Sequence, residues 1–452
     1  MFKGPTQSKF SPIAHLPWRA VPGRALCLAA LISTLLSACV APPAPQTPFP
    51  DYGYKPPASE YSGTLFKLSQ DYPTIRPPQS ALPLLLNTDF TKNWRAYLMQ
   101  ARDYCFEGNI EADFRVENNK VRKWYHAPWQ NYGIKGREGI HGLTKEAPLA
   151  VGQLAATQTY PKAVAYAVGI YNEFGGYEIG RVWQNHNDPD PTYVANEGFP
   201  VGTVVCKILF VSMPPEQVQA QIPFLVNPLN WQAYGYDYGK EPARLVQPMA
   251  LIQMDVMVRD SRAEFGWVFG TFQYNGQLKN TNPWYNLVPV GLQWGNDPAI
   301  VGDIPVPDST GKFPPAPLFY TTPINTKLKE TYINTDSNLP PTHLGWGGRL
   351  AGPADNPGSS CFSCHMTASY PDQQLSGLFV PVKDRPSPTN TQVWDSWWMQ
   401  WFQNNTWPKQ FNPWPERLSA VTARNSLDFS LQMSDGIKNF YLSKQPTATP
   451  KP

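Results

Sequence analysis

Proline interrupts this chain about once in every nine residues, 50 in 452, and that density limits the fold more than any other feature. Each proline lacks a backbone N–H and clashes with the helical turn before it. A bundle or coiled coil of long helices is therefore excluded. What remains is short strands joined by turns, with brief helices between them. Only 16% of residues are charged and 42% are hydrophobic, so the chain can build a core and is no disordered polyelectrolyte. Basic side chains outnumber acidic ones by 37 to 34. Four of the basic ones, Lys3, Lys9, Arg19 and Arg24, stand in a leader without acids. The remainder is close to neutral and carries no nucleic-acid footprint.

The leader sets the compartment. After Arg24 an uncharged run extends from Ala25 to Leu36, shorter than the roughly 20 apolar residues that span a bilayer but suited to a secretory signal. Leu36-Ser37-Ala38-Cys39 follows at once. This resembles the lipobox of bacterial lipoproteins, which implies cleavage of residues 1–38 and lipidation of Cys39. Cleavage after Ala38 as an ordinary signal peptide is the other reading. Residues 39–58 contain Pro42, Pro43, Pro45, Pro48, Pro50, Pro56 and Pro57, the composition of a semi-rigid polyproline II spacer. Val40 stands where inner-membrane lipoproteins of enteric type carry Asp. That resemblance implies a periplasmic protein anchored by its N-terminal lipid, with the outer membrane favoured.

Beyond Cys27 and Cys39 the cysteines are Cys105, Cys206, Cys361 and Cys364. The last two belong to Cys361-Phe362-Ser363-Cys364-His365. Two thiols three positions apart can form thioethers with the two vinyl groups of one porphyrin, and the next residue offers an imidazole to the iron. A thioredoxin-like pair would want a βαβ setting, and a zinc site a second ligand pair. The sequence offers neither. Cys105 and Cys206 leave two readings open in an exported protein: a disulfide, or a Cys206 that packs as a small hydrophobe within Val204–Val211.

The motif resembles that of c-type cytochromes. The chain as a whole is similar to the large monohaem "cytochrome c family" lipoproteins of bacteria, in segments such as Gly142-Leu143-Thr144, Gly175-Gly176-Tyr177, Gly266-Trp267-Val268-Phe269-Gly270 and Trp294-Gly295-Asn296-Asp297-Pro298. The resemblance implies one covalent haem c on Cys361 and Cys364, with His365 as proximal ligand. It brings no established activity. One departure from small class I cytochromes stands out: residues 343–358 are too rich in Gly and Pro for a regular helix, so the motif is approached from a loop.

The distal ligand stays open. Met366 adjoins the proximal His and cannot reach the opposite face. Met399 is favoured, in an expected helix with Trp394, Trp397 or Trp398, and Trp401 on one side. His343 could swing over the ring, and Met433 belongs to a stripe with Phe429, Ile437 and Phe440 whose spacing is that of core packing. An empty or water-filled distal site is the remaining option. Glu138-Gly139-Ile140-His141 has the spacing of a di-iron motif, but the surrounding glycines argue for a loop or core His141. His126 and His186 sit in loops and are read as backbone partners.

The expected fold is mainly β with α elements: an antiparallel β-sheet or sandwich body over 59–323, a small loop-and-helix haem c module over 324–443 at the C-terminal end, and a disordered tail at 444–452. A helix is expected over Thr88–Arg102, capped by Asp89 or Thr91, and a short one over Pro214–Ala220. Strands are expected at Val204–Val211, Met249–Arg259, Phe265–Tyr274 and Leu287–Trp294. In the second of these Leu251, Gln253, Asp255 and Met257 share one side. Residues 298–323 form a proline-rich loop. The function expected first is electron transfer with an unidentified redox partner. A peroxidase-like haem oxidoreductase with an open distal site, and a haem-based sensor or binding protein, are the alternatives.

Overall fold

The computed structural model describes residues 48–130, 132, 136–263, 265–295, 350–355, 360–366, 368–370, 410–411 and 424–445. The chain divides into the units Met1–Pro45 and Gln46–Pro452, and every described residue belongs to the second. The leader, Cys39, the loop 298–323, His343 and Met399 lie outside the described residues. No described helix is long and apolar enough to cross a membrane.

The body is a seven-stranded sheet of β1 (Thr144–Pro148), β2 (Val164–Tyr171), β3 (Val204–Ser212), β4 (Asn230–Asp237), β5 (Lys240–Arg259), β6 (Trp267–Tyr274) and β7 (Leu287–Gln293). The spatial order is β1-β2-β3-β5-β6-β7, with β4 also paired to β5, and every pairing is antiparallel. The 20 residues of β5 serve two roles. Its first half forms a hairpin with β4, turning at Tyr238 and Gly239, both left-handed at φ 42° and 79°, the geometry that matches strand twist in a tight hairpin. Its second half is the sheet's centre, between β3 and β6.

Period-two alternation assigns the sheet's faces. Ile170, Cys206, Val256, Gly270 and Leu292 lie across from one another on one face. Helix α1 (Trp94–Phe106) covers this face, close enough that a Cβ on Gly270 would meet Leu98. Cys105 of α1 and Cys206 of β3 form a disulfide, which decides between the two readings of that pair. The opposite face carries Tyr171, Val205, Met257, Phe269 and Gln293 in one row. It carries Gly169, Lys207, Asp255, Thr271 and Gly291 in the next.

Three expectations shift in detail. Helix α1 begins at Trp94, later than expected: Asn93 is its cap, accepting from Ala96 N at 3.2 Å. Asp89 instead closes its own turn on the N–H and hydroxyl of Thr91, so its oxygen is not available to start the helix. Strands β1, β2 and β4 were not anticipated. The polar Thr-Lys-Glu of β1 and the small residues of β2 hide the alternation, and pairing with β3 and β5 decides their conformation. Among the described residues the large sheet faces helices and loops rather than a second large sheet; the other sheet is the small β8 (Ser369–Tyr370), β10 (Arg424–Ser426) and β9 (Gln410–Phe411), in that order.

Residues 48–58, assigned from sequence to the spacer, lie against the body: Phe49 is buried and stacks on His186, and Tyr54 bridges to Glu138. Helices α2 (Glu173–Val182), α3 (Thr192–Glu197) and α4 (Pro215–Gln221) are short, as the proline content requires. The C-terminal helix reaches Lys444, at the edge of the expected tail.

Candidate functional site

Cys361–His365 forms a single helical turn, α5. The segment before it, residues 350–355, is a turn, in keeping with its glycines and prolines. That segment is moored to the sheet. Gln253 Oε1 accepts from Ala354 N at 2.8 Å, Gln153 Nε2 donates to the carbonyls of Pro353 and Asp355 at 3.1 and 3.0 Å, and Cys361 N donates to Leu350 O at 2.9 Å. Gly352 is required by close approach, since a Cβ there would sit 2.1 Å from the Gln253 amide carbon. The motif thus lies on the polar face of the sheet, opposite α1 and the disulfide.

Phe362 drives its side chain to full burial against Phe265, Phe269 and Phe429. This apolar anchor leaves Cys361, Cys364 and His365 half-buried on the same turn. Neither motif cysteine is in a disulfide. Cys361 Sγ lies 3.7 Å from Thr271 Oγ1, which also donates to Asp255 Oδ1 at 2.9 Å. Burial pushes the Cys361 thiol well above its usual range, reinforced by Asp355 and Asp255. Burial, then Asp355, pushes Cys364 up to about 12. Thiols held protonated in this way are poor redox nucleophiles, which disfavours a thioredoxin-like role.

His365 has a defined orientation. Its Nδ1 is 2.8 Å from the Phe429 carbonyl oxygen, a contact that requires Nδ1 to carry the proton and leaves Nε2 with a lone pair. Burial lowers the imidazole to about 4, partly offset by the same carbonyl, so the ring is neutral at ordinary pH. A neutral imidazole with Nδ1–H committed to a backbone oxygen is the state in which His ligates a metal. Among the described residues no group of three or more His, Cys, Asp or Glu converges to hold a metal ion. The chemistry of the donor set, two thiols and one oriented imidazole on one turn, fits a covalently held haem.

Beside the motif lies a polar cluster that the sequence reading did not single out. Gln253 Nε2 donates to both oxygens of Asp255, at 2.9 and 2.8 Å, and to Asp355 Oδ2 at 2.9 Å. Lys207, paired across the strands with Asp255, forms an ion pair with Glu146 at 3.2 Å. Burial, then the Asp355 charge, pushes Asp255 up to about 8 against the pull of Lys207. Burial alone would lower Lys207, but Glu146, Asp355 and Asp255 outweigh it and raise the ammonium. The signal was present in the sequence as Gln253 and Asp255 alternating within an otherwise apolar strand.

Among the described residues, His126 and His141 are held by structural contacts. Glu138 accepts from the backbone N–H of Ile140, His141 and Leu143 at 2.7, 2.7 and 2.9 Å. His141 stacks on Trp231 and bonds Gln232 O and Asp113. The Glu-x-x-His spacing here is therefore a loop cap. His126 Nδ1 accepts from Ser69 N at 3.0 Å. Met433 is buried with Ile437 and Phe440 on α6 (Leu431–Lys444), the packing that its stripe implies.

The chain matches no protein-family model, no curated protein and no solved structure. The described residues form a mainly antiparallel β-protein with few helices, whose C-x-x-C-H turn docks on the polar face of its large sheet.

Proposed function

We propose that this protein is a monohaem c-type cytochrome, tethered in the bacterial periplasm by a lipid on Cys39, and that it works as an electron carrier. The observation that carries the reading is the His365 Nδ1 contact with the Phe429 carbonyl, 2.8 Å long, on the turn that also bears Cys361 and Cys364. In this reading Cys361 and Cys364 would hold haem c as thioethers, His365 Nε2 would ligate its iron, and Met399 would be the favoured second ligand. When bound, the haem supplies one-electron exchange between ferric and ferrous iron. The protein's part is to hold and insulate it. Phe362, Phe265, Phe269 and Phe429 exclude water behind the motif, and the Phe429 carbonyl keeps the imidazole oriented.

Expression in cells able to mature c-type cytochromes tests this. The wild type should retain haem after denaturation, and Cys361→Ala with Cys364→Ala should lose it. A colourless wild type with both motif thiols still open to alkylation would sink the proposal. One observation favours a peroxidase-like haem oxidoreductase as a second reading: Asp255, pushed up to about 8, is a proton donor close to the motif. Ready binding of carbon monoxide by the reduced protein would select that reading, and a spectrum unaffected by carbon monoxide would select the carrier.

A further inference from the structure

We propose that Asp428 is a positioning residue for His365, fixing the Phe429 carbonyl at the imidazole from the back of the site. The inference rests on the reading of His365 as a haem ligand. Asp428 and Phe429 are both left-handed, at φ 46° and 67°, and neither is glycine. Two successive L-residues adopt this backbone only where their surroundings hold them there. The turn it makes delivers the Phe429 oxygen to His365 Nδ1.

The holding groups all meet at the Asp428 carboxylate, which is fully buried. Its Oδ2 accepts from Phe199 N at 2.7 Å, its Oδ1 accepts from Trp267 Nε1 at 2.9 Å, and Arg259 Nε lies 3.4 Å from Oδ2. Arg259 comes from the end of β5, Trp267 from the start of β6, and Phe199 from the loop before β3. Arg259 Nε also donates to Phe199 O at 3.2 Å, so the anchors are tied to one another. The guanidinium fits because residue 266 is glycine: a Cβ there would fall 1.2 Å from Arg259 Nη1, and φ is 78°.

The chain of restraint therefore runs from the ends of β5 and β6 and the loop before β3 through Asp428 to the Phe429 carbonyl and on to the imidazole. Partners one shell behind a metal ligand set its orientation and basicity. A stable acceptor on Nδ1–H makes the ring a stronger donor at Nε2 and favours the more oxidised metal.

The test uses the full chain with its haem. Asp428→Asn and Trp267→Phe are compared with wild type by reductive titration and by electron paramagnetic resonance of the ferric state. Covalent haem is expected in both variants. At the wild-type midpoint the reduced-to-oxidised ratio should rise about tenfold in Asp428→Asn and about threefold in Trp267→Phe, with altered ferric g-values. A folded, haem-loaded variant with wild-type ratio and g-values would overturn the positioning role. If Asp428→Asn does not fold, Trp267→Phe decides alone. Failure of the wild type itself to carry haem would instead overturn the underlying cytochrome reading.

Discussion

The Cys105–Cys206 disulfide joins α1 to the centre of the sheet across 101 residues of chain. Replacing both cysteines by Ala releases that constraint in the unfolded state. The chain-entropy relation gives about 4.7 kcal/mol at 25 °C for a loop of this length. Both side chains are fully buried, so the small voids left by Ala add to the loss, while residual structure in the unfolded chain reduces it. A net loss of about 4–5 kcal/mol is expected. The unit concerned, Gln46–Pro452, has about 400 residues, for which unfolding entropy converts that loss into a fall in Tm of about 5 °C. Differential scanning calorimetry of the double variant reads the shift. Peptide mapping without reduction should find the Cys105 and Cys206 peptides linked in wild type. A fall under about 2 °C would refute the claim that this cross-link stabilises the body. So would separate peptides. Because the bond lies on the face opposite α5, the double variant should keep its capacity to attach haem.

Three further outcomes follow from the site. Cys361→Ala with Cys364→Ala should abolish covalent haem, read by absorbance after denaturation, while the fold persists by circular dichroism. Asp255, raised from 3.8 to about 8 in the folded state, makes the native protein hold a proton that the unfolded chain releases above about pH 4. Stability should therefore fall as pH rises from about 4 to 8, and Asp255→Asn should flatten that slope; an unchanged slope in urea titrations across this window would exclude the assignment. Gly266→Ala should displace Arg259 from Asp428 and cost about 2–4 kcal/mol in chemical denaturation, and a neutral result would contradict the packing at that turn.

Much of this was legible in the sequence where the information is local. The alternation in Met249–Arg259 placed Gln253, Asp255 and Met257 on one face, as observed, while a register shift after Leu209 pairs Leu251, expected with them, to Phe210 instead. Met433, Ile437 and Phe440 are buried on α6 as their spacing implies, whereas Phe429, expected on the same helix, is buried from a left-handed turn before it. The glycines around His141 correctly argued against a helical metal motif. The start of α1 differs because the two expected caps, Asp89 and Thr91, bond to each other, and Asn93, not considered from the sequence, takes the helix N–H.

The sequence by itself argued against a bundle of long helices, because proline breaks them, and no helix among the described residues exceeds 14 residues. It also determined that two thiols and an imidazole would share one turn, because five consecutive residues cannot separate. Tertiary structure alone decided what meets that turn. Phe429 reaches His365 from 64 positions away and Trp267 reaches Asp428 from 161. No periodicity encodes such a meeting, since it depends on which sheet face each segment finds when the core closes. The pairing of Cys105 with Cys206 is of the same kind. Spacing specifies what chemistry a segment can offer, and packing specifies which groups restrain it.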